Sequence, residues 1–246
     1  MSNKSAGATP RFRDDSAGLG RISITAEPAP RTIGNAAGSG IEPDETPFDL
    51  AELLRELDRA GATELAERLA VAKSAIHGHL TTLRDRGFVV KRSGRYELGL
   101  RFFEYGQCAR SQLEIVQSGT LAVEKLEAET REMVWLLTHQ NGMAIYVYGR
   151  AGDNEVSVNT ILGARTHTHC NSGGGKAILA NLPESEVGDI ADAYRLPCRT
   201  ENISTDRGQL FDEHGRIRER GHALNRSENL EGIHAVGVPL TVGGAV

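Results

Sequence analysis

Apolar residues just after position 45 recur three or four positions apart, a spacing that places them on one face of an α-helix. The first such segment opens at Thr46-Pro47, where a capping residue and a proline suit a helix start, and it is expected to end at Gly61. A second, shorter helix is predicted from Thr63, followed by a turn over residues 70–72. The side chains expected to face inward from these two helices are Leu50, Leu53, Leu54, Leu57, Leu65, Ala66 and Leu69.

A third helix and a hairpin complete this part of the pattern. The helix is predicted from Lys73 to about Arg86. Alternation over 88–91 and 96–98 predicts two short strands joined by a turn over 92–95. Helix, short helix, turn, helix and hairpin in this order form a winged helix-turn-helix. The inward side chains of the third helix are Ile76, Leu80 and Leu83.

The side of the third helix that faces away from this core carries small or polar side chains and no acid. Its members are Ser74, His77, Gly78 and Thr81. Such a face suits the major groove of DNA, because base edges offer donors and acceptors at close range and phosphates repel carboxylates. Lys73 at the helix start, with Arg92 and Arg95 at the hairpin tip, is expected to contact phosphates. The alternative is a winged helix that binds another protein.

Charge is distributed unevenly along the chain. The 246 residues include 28 basic and 33 acidic side chains, a formal net charge of −5. Residues 73–101 nevertheless hold seven basic and two acidic side chains, so this segment has a local net charge of +5. A concentrated positive field in an acidic chain is typical of a phosphate-binding surface. A solvated surface with paired charges is the other interpretation, and charge alone leaves both open.

Residues 64–106 resemble the DNA-binding domain of IclR-type transcriptional regulators, especially haloarchaeal-like members. The resemblance rests on ELAERLAVAKSAIHGHLTTLRDRGFVVKRSGRYELGLRFFEYG, with its lysine-serine helix opening, its LxxLxxxGFV pattern and its closing hairpin. Many members carry a long polar or basic side chain where this chain has Gly78. The resemblance implies that the linker region, from Leu100 to about Leu126, joins two domains and contributes to dimerisation. Its own residues indicate amphipathic helical stretches broken near Gly119.

The remainder of the chain alternates predicted strands and helices, as an α/β domain does. Asn141-Gly142 between two apolar runs is a strong hairpin signal. The predicted elements are strands over 133–138, 143–148 and 156–161, a polar stretch over 162–172, helices over 177–181 and 183–194, a helix from Thr205 to Arg220, and a final strand over 233–240.

This second region resembles the GAF-like effector-binding domain of the IclR family. HCNS at 169–172, GKAILA at 175–180, and the later RIRERGHAL and GIHAVGVPL segments carry the resemblance. The chain stops at Val246, before the strand and helix with which the family normally continues, so we expect a C-terminally truncated domain. The resemblance implies a small-molecule pocket in this region. The residues predicted to bind the effector are Arg165, His169, Cys170, Asn171, Ser172, Gly175 and His234.

The glycine run at 173–175 points independently to anion binding. Glycines leave N–H groups accessible at a helix start, where the helix dipole favours negative charge. Arg165 and Ser172 could complete such a cradle. The alternative is a plain helix-capping turn.

Three other chemistries are considered for the same region. A phosphate-binding loop is disfavoured, because Cys170 and Ala177 stand where that motif needs glycine and serine or threonine. Cys170 beside His169 could be a nucleophile, but no orienting carboxylate is evident. Candidate metal ligands lack paired spacing. These ligands are His167, His169, Cys170, Cys198, His214 and His234. We therefore expect no metal, no cofactor and no enzymatic activity.

The remaining features indicate which segments fold, whether the protein contacts a membrane, and where it is located. Residues 1–45 show no hydrophobic period and are expected to be a disordered tail. No apolar run is long enough for a membrane span and no signal peptide is evident, so no membrane partner is expected. Three widely spaced cysteines argue for a reducing, cytoplasmic location.

Together these patterns predict an α+β protein with three parts. The parts are a disordered tail over 1–45, a winged helix-turn-helix DNA-binding domain over 46–107, and an effector-binding and dimerisation domain over 108–246. The expected function is an IclR-type transcription regulator, a homodimer or dimer of dimers that binds a double-stranded DNA operator and a small-molecule effector. The alternatives are a ligand or metal sensor without specific DNA binding, and a DNA-binding protein with a vestigial sensor.

Overall fold

A computed structural model describes residues 44–152, 162–167, 173–194, 207–228 and 232–240. The strand predicted over 156–161, the helix start predicted at Thr205 and all but the last two residues of the predicted tail lie outside these ranges. In chain order the elements are α1 (Thr46–Leu57), α2 (Ala62–Leu69), α3 (Lys73–Asp85), β1 (Val89–Arg92), β2 (Arg95–Leu98), α4 (Arg101–Ser111), α5 (Glu114–Thr130), β3 (Val134–Gln140), β4 (Met143–Arg150), β5 (Arg165–His167), α6 (Gly173–Ala180), α7 (Glu184–Tyr194), α8 (Arg207–Arg220), β6 (Ala223–Arg226) and β7 (His234–Gly237).

The first five elements form the predicted winged helix-turn-helix. β1 and β2 pair as an antiparallel hairpin. Two backbone hydrogen bonds, of 3.0 and 2.8 Å, join Tyr96 on β2 to Ala60, which lies between α1 and α2. The predicted inward stripes are confirmed, because they supply the side chains of one hydrophobic core. The fully buried members of this core include Leu50, Leu54, Leu65, Ile76 and Leu80.

The ends of α1 differ from the sequence prediction. Thr46 is the first helical residue and not its cap, and its backbone N–H donates to Oδ1 of Asp44 over 3.1 Å. The helix ends at Leu57, before the predicted end at Gly61, because Asp58 takes a positive φ of 59°. Asp44 therefore satisfies one of the N–H groups that every helix start leaves without a partner.

The turn between α2 and α3 lies where the sequence placed it. α2 begins at Ala62, one residue before the predicted Thr63. It ends at Leu69, because Ala70 adopts the left-handed conformation with φ of 54° and its N–H bonds back to the last turn. Residues 70–72 then lead directly into α3.

The helical break predicted near Gly119 is wrong. The chain breaks between α4 and α5, at Gln112 and Leu113, while Gly119 lies inside α5 and is buried. A Cβ atom on Gly119 would lie 3.0 Å from a methyl carbon of Leu136 on β3. This glycine therefore allows α5 to pack closely on the sheet, and the sequence alone could not distinguish close packing from helix breaking.

β3, β4 and β5 form an antiparallel sheet in that order, and β6 pairs antiparallel with β7. The two strands predicted over 133–138 and 143–148 are present, and the structure extends each by two residues at its C-terminal end. The polar stretch predicted over 162–172 contains β5, in which Thr166 is buried opposite Ala144. The final strand is shorter than predicted, since β7 covers only four residues of 233–240.

α8 carries a buried histidine against the rest of this second region. His214 is 1% exposed, and its ring lies 6.1 Å from that of Phe211 in an edge-to-face arrangement. The pKa of His214 is lowered to about 4, mainly by burial and also by the positive charges of Arg218 and Lys176, against an opposing effect of Glu213. The imidazole is therefore neutral in the folded chain at neutral pH.

We expect this histidine to make folding sensitive to acid. Its ordinary pKa of 6.5 lies above the folded value of about 4, so the unfolded chain binds the proton more readily between these two pH values. The free energy of unfolding should fall by roughly 3 kcal/mol through this group as the pH drops from 6.5 to below 4. Urea denaturation at a series of pH values measures it.

The matched variants are His214→Leu, which removes the buried imidazole, and His77→Gln, which replaces an exposed histidine on α3. His214→Leu should flatten the fall in stability, while His77→Gln should keep the wild-type profile. An unchanged profile in His214→Leu would contradict the assignment.

Candidate DNA-binding surface and effector-binding region

The outer face of α3 is exposed along its N-terminal two-thirds. Ile76 and Leu80 are fully buried on the inner side, which turns the opposite side of the helix to solvent. Lys73 at the helix start is also exposed. The four predicted base-facing residues are all exposed, and they are Ser74, His77, Gly78 and Thr81.

The two hairpin arginines differ in their surroundings. Arg92 is 75% exposed, and its Nε lies 3.9 Å from a carboxylate oxygen of Glu97. Arg95 is held more firmly, because one of its nitrogens lies 2.9 Å from a carboxylate oxygen of Glu64 on α2 and 3.2 Å from the Arg59 carbonyl oxygen. Arg92 is therefore the freer cation, and Arg95 connects the hairpin to the start of α2.

A cluster of aromatic rings and one arginine, which the sequence pattern did not predict, fixes α4 to the winged helix. The Phe88 ring lies 5.0 Å from that of Phe102 and 5.4 Å from that of Tyr105. The Arg101 guanidinium lies 5.6 Å from the centres of the Phe88 and Tyr105 rings, and it donates a 3.0 Å hydrogen bond to the Arg86 carbonyl oxygen. The only signal in the sequence was the density of aromatic residues after the hairpin.

The other end of α4 contacts the sheet. Nε of Arg110 donates to the Val147 carbonyl oxygen on β4 over 2.6 Å, and its guanidinium lies 5.7 Å from the centre of the Tyr148 ring. The Tyr148 hydroxyl donates to Glu124 over 2.8 Å, and this bond raises the pKa of Tyr148 above its ordinary value. α4 therefore contacts the winged helix at one end and the sheet of the second region at the other.

Glycines allow the start of α6 to rest directly on β7. A Cβ atom on Gly173 would lie 2.5 Å from the Gly237 nitrogen, and one on Gly237 would lie 2.0 Å from the Gly173 carbonyl carbon. A Cβ atom on Gly174 would lie 3.3 Å from methyl carbons of Leu137. Gly175, a predicted effector-binding residue, is buried. Close backbone packing therefore accounts for Gly173, the first residue of the glycine run.

Lys176 forms an ion pair inside the protein. Its Nζ lies 2.7 and 2.8 Å from the two carboxylate oxygens of Glu228, and both side chains are largely buried. The backbone N–H of Glu228 donates to Oδ1 of Asn225 over 2.9 Å. The lysine that follows the glycine run thus neutralises an internal carboxylate.

The structure places three of the predicted effector-binding residues on different elements. Arg165 lies on β5 and is half-buried, and its Nε is buried without a hydrogen-bond partner among the described residues. Gly175 lies in α6, and His234 is exposed on β7. The remaining predicted residues lie outside the described ranges, and they are His169, Cys170, Asn171 and Ser172.

Within the ranges given above, no three histidine, cysteine, aspartate or glutamate side chains are arranged to hold a metal ion. Within the same part of the chain, every helix is too short or too polar to cross a bilayer.

Family models match both regions of the chain. The IclR helix-turn-helix domain matches residues 48–93, and the model described as bacterial transcriptional regulator IclR C-terminal matches residues 107–241. The second match alone covers more than half of the 246 residues.

Curated relatives and solved structures agree with these matches. The probable HTH-type transcriptional regulator ArcR of Halobacterium salinarum is 28% identical over 78% of this chain and 74% of its own length. The HTH-type transcriptional regulator Rv1719 of Mycobacterium tuberculosis is 33% identical over 77% of this chain and 74% of its own length.

An IclR homolog from Microbacterium hydrocarbonoxydans, solved in complex with 4-hydroxybenzoate, shares the fold. Its TM-score is 0.69 at 17% identity, over 81% of this chain and 85% of that one. The winged helix-turn-helix fold agrees with both family matches. The chain therefore belongs to the IclR family of transcriptional regulators, whose members have an N-terminal helix-turn-helix DNA-binding domain and a C-terminal effector-binding domain.

Proposed function

We propose that this chain controls transcription as a homodimer that places α3 of each subunit in a major groove of a palindromic operator. The observation that carries the proposal is the exposed face of α3, where Ser74, His77, Gly78 and Thr81 form an acid-free surface. A two-fold symmetric dimer presents two such helices, so its operator has two related half-sites. The protein acts as a regulator and not as an enzyme, in keeping with its relatives.

Phosphate contacts come from the residues that flank this face. Lys73 lies at the start of α3, and Arg92 lies exposed at the hairpin tip. Arg95 contacts a phosphate after leaving the Glu64 carboxylate. This exchange costs little, because ion pairs at the protein surface are weak in water. These contacts fix the register of the protein on the duplex, while α3 reads the bases.

Replacing both hairpin arginines tests the phosphate contacts. Arg92→Ala combined with Arg95→Ala removes two arginines from each subunit, so it should weaken binding of the dimer to every duplex alike and reduce the slope of log K against log salt by about four. Fluorescence anisotropy between 50 and 300 mM salt, on the promoter region and on an unrelated duplex, measures the slope.

The control is Arg216→Ala on α8, which removes an arginine whose side chain is 66% exposed and remote in sequence from the proposed DNA-binding surface. It should leave the slope unchanged. A double variant with the wild-type slope would show that the hairpin does not contact phosphates.

Dimerisation is assigned to the linker helices. None of the residues of α4 is buried, and the large apolar side chains that this helix and the residue before it expose include Leu100 and Phe103. Leu121 and Leu126 on α5 are exposed as well. Exposed apolar side chains on consecutive helices are typical of a subunit interface.

Introducing a charge at this surface should separate the subunits. Phe103→Glu is expected to raise the dimer dissociation constant by more than about tenfold, because the interface would then bury a carboxylate. Size-exclusion chromatography with light scattering measures the mass. Phe48→Glu on α1, at another largely exposed phenylalanine, is the control and should remain dimeric. A Phe103→Glu variant with wild-type mass would contradict this interface.

The second domain, over 108–246, is proposed to bind a small anionic effector beside β5. Arg165 supports this, since its Nε is buried and lacks a partner among the described residues. A carboxylate could accept from such a guanidinium. The Microbacterium homolog was solved with an aromatic carboxylate, 4-hydroxybenzoate, and we choose that compound as one probe.

Thermal unfolding with a panel of small carboxylates, including 4-hydroxybenzoate, benzoate, pyruvate and acetate, tests effector binding. A ligand present at about 100 times its dissociation constant stabilises a protein by about 2.7 kcal/mol, which for a chain of this size is a shift of roughly 5–10 °C. Arg165→Gln should abolish the shift, whereas His234→Gln should only weaken it. A shift that survives in Arg165→Gln would contradict the role of this arginine.

α4 is proposed to carry the effector signal. It contacts the winged helix through Phe88 and Arg101, and the sheet through Arg110. An effector that binds one arrangement of the sheet more tightly would shift the population of dimer arrangements, and with it the spacing of the two α3 helices.

A further inference from the structure

The hydroxyl groups of two adjacent threonines on α3 are both bonded to the helix itself. Oγ1 of Thr81 donates to the His77 carbonyl oxygen over 2.8 Å, and Oγ1 of Thr82 donates to the Gly78 carbonyl oxygen over 3.1 Å. A threonine hydroxyl has a single proton. In this arrangement Thr81 has no donor left to offer to a base edge.

The exposed remainder of Thr81 is therefore a methyl group and the lone pairs of its oxygen. Thr81 is exposed, and it stands three positions after Gly78, which places the two side by side on the helix surface. Gly78 is exposed too, and a Cβ atom built on it would meet no atom within 4 Å apart from its chain neighbours and the backbone of its own helix. The methyl group thus borders a patch of bare backbone with space beside it.

Base edges in the major groove differ in what such a surface can bind. Guanine and adenine present N7 acceptors, which need a donor. Thymine presents a C5-methyl group, which gains from apolar contact, and the threonine methyl is one of the groups that make it. Ser74 and His77 on the same face carry donors, so the recognition of purines falls to them.

We propose that Thr81 and Gly78 select a thymine in each half-site through its C5-methyl group. The proposal rests on the proposed entry of α3 into the major groove. The thymine methyl lies against the Thr81 methyl, and the missing side chain of Gly78 provides the room. The preferred operators therefore have an A·T pair at one defined position of each half-site.

The experiment starts from operators that the full-length chain selects out of a random duplex pool. Each thymine of a half-site, together with its symmetry mate, is replaced by deoxyuridine, which removes only the methyl group. At one position the affinity of the wild-type chain should fall about fourfold for each methyl lost, the factor that corresponds to about 0.8 kcal/mol for one buried methyl-sized group. Fluorescence anisotropy at fixed salt measures the dissociation constants.

Three variants test separately the roles of the Thr81 methyl group, the Thr81 hydroxyl and the space beside Gly78. Thr81→Ser keeps the hydroxyl and loses the methyl, so it should bind the thymine and deoxyuridine operators equally. Thr81→Val loses the hydroxyl and keeps a methyl, so it should retain the preference for thymine. Gly78→Ala fills the patch and should abolish the preference, while its thermal midpoint stays equal to or above that of the wild type, because the added methyl meets no other atom.

The outcomes distinguish this inference from the proposed function. Selection that enriches no duplex overturns both. An enriched operator that tolerates deoxyuridine at every position, or a preference that survives in Thr81→Ser, overturns only the methyl contact. Loss of the preference in Thr81→Val would assign recognition to the hydroxyl and overturn it as well.

Discussion

The burial of Ile76 and Leu80 is the constraint on which the DNA-binding surface depends. Both side chains are fully buried in the core that α1 and α2 complete with Leu50, Leu54 and Leu65. Once these apolar atoms leave water, the rotation of α3 about its axis is set, because turning the helix would expose them again. The polar side of the helix then faces outward as a geometric consequence of the core.

α4 connects this surface to the rest of the chain without a core of its own. Its start is held by the edge-to-face contact between the Phe88 and Phe102 rings and by the Arg101 guanidinium, and its end by the hydrogen bond from Arg110 to the Val147 carbonyl oxygen. A helix fixed at both ends transmits displacement better than a flexible linker does. The same helix keeps its apolar Phe103 on the outside, where a second subunit can cover it.

The second region is organised by close backbone contacts. Gly119 allows α5 to approach Leu136, and Gly173 allows α6 to lie directly against Gly237 on β7. Inside this packing, Lys176 and Glu228 neutralise each other, and His214 stays uncharged. Charges that the fold takes out of water are thus paired or suppressed, and Arg165 stands apart because its Nε lacks a partner within the described ranges.

Sequence patterns predicted correctly those elements whose signal is local. The leucine spacing of α1, the inward stripe of α3 and the hairpin turn at 92–95 were predictable, because periodicity and turn chemistry act over a few residues. Contacts between residues distant in sequence set the features that local patterns did not predict. β5 is a strand because its backbone pairs with β4 and buries Thr166, Gly119 packs instead of breaking a helix, and Arg95 reaches back to Glu64. These outcomes depend on neighbours distant in sequence, and residue spacing carries no information about such neighbours.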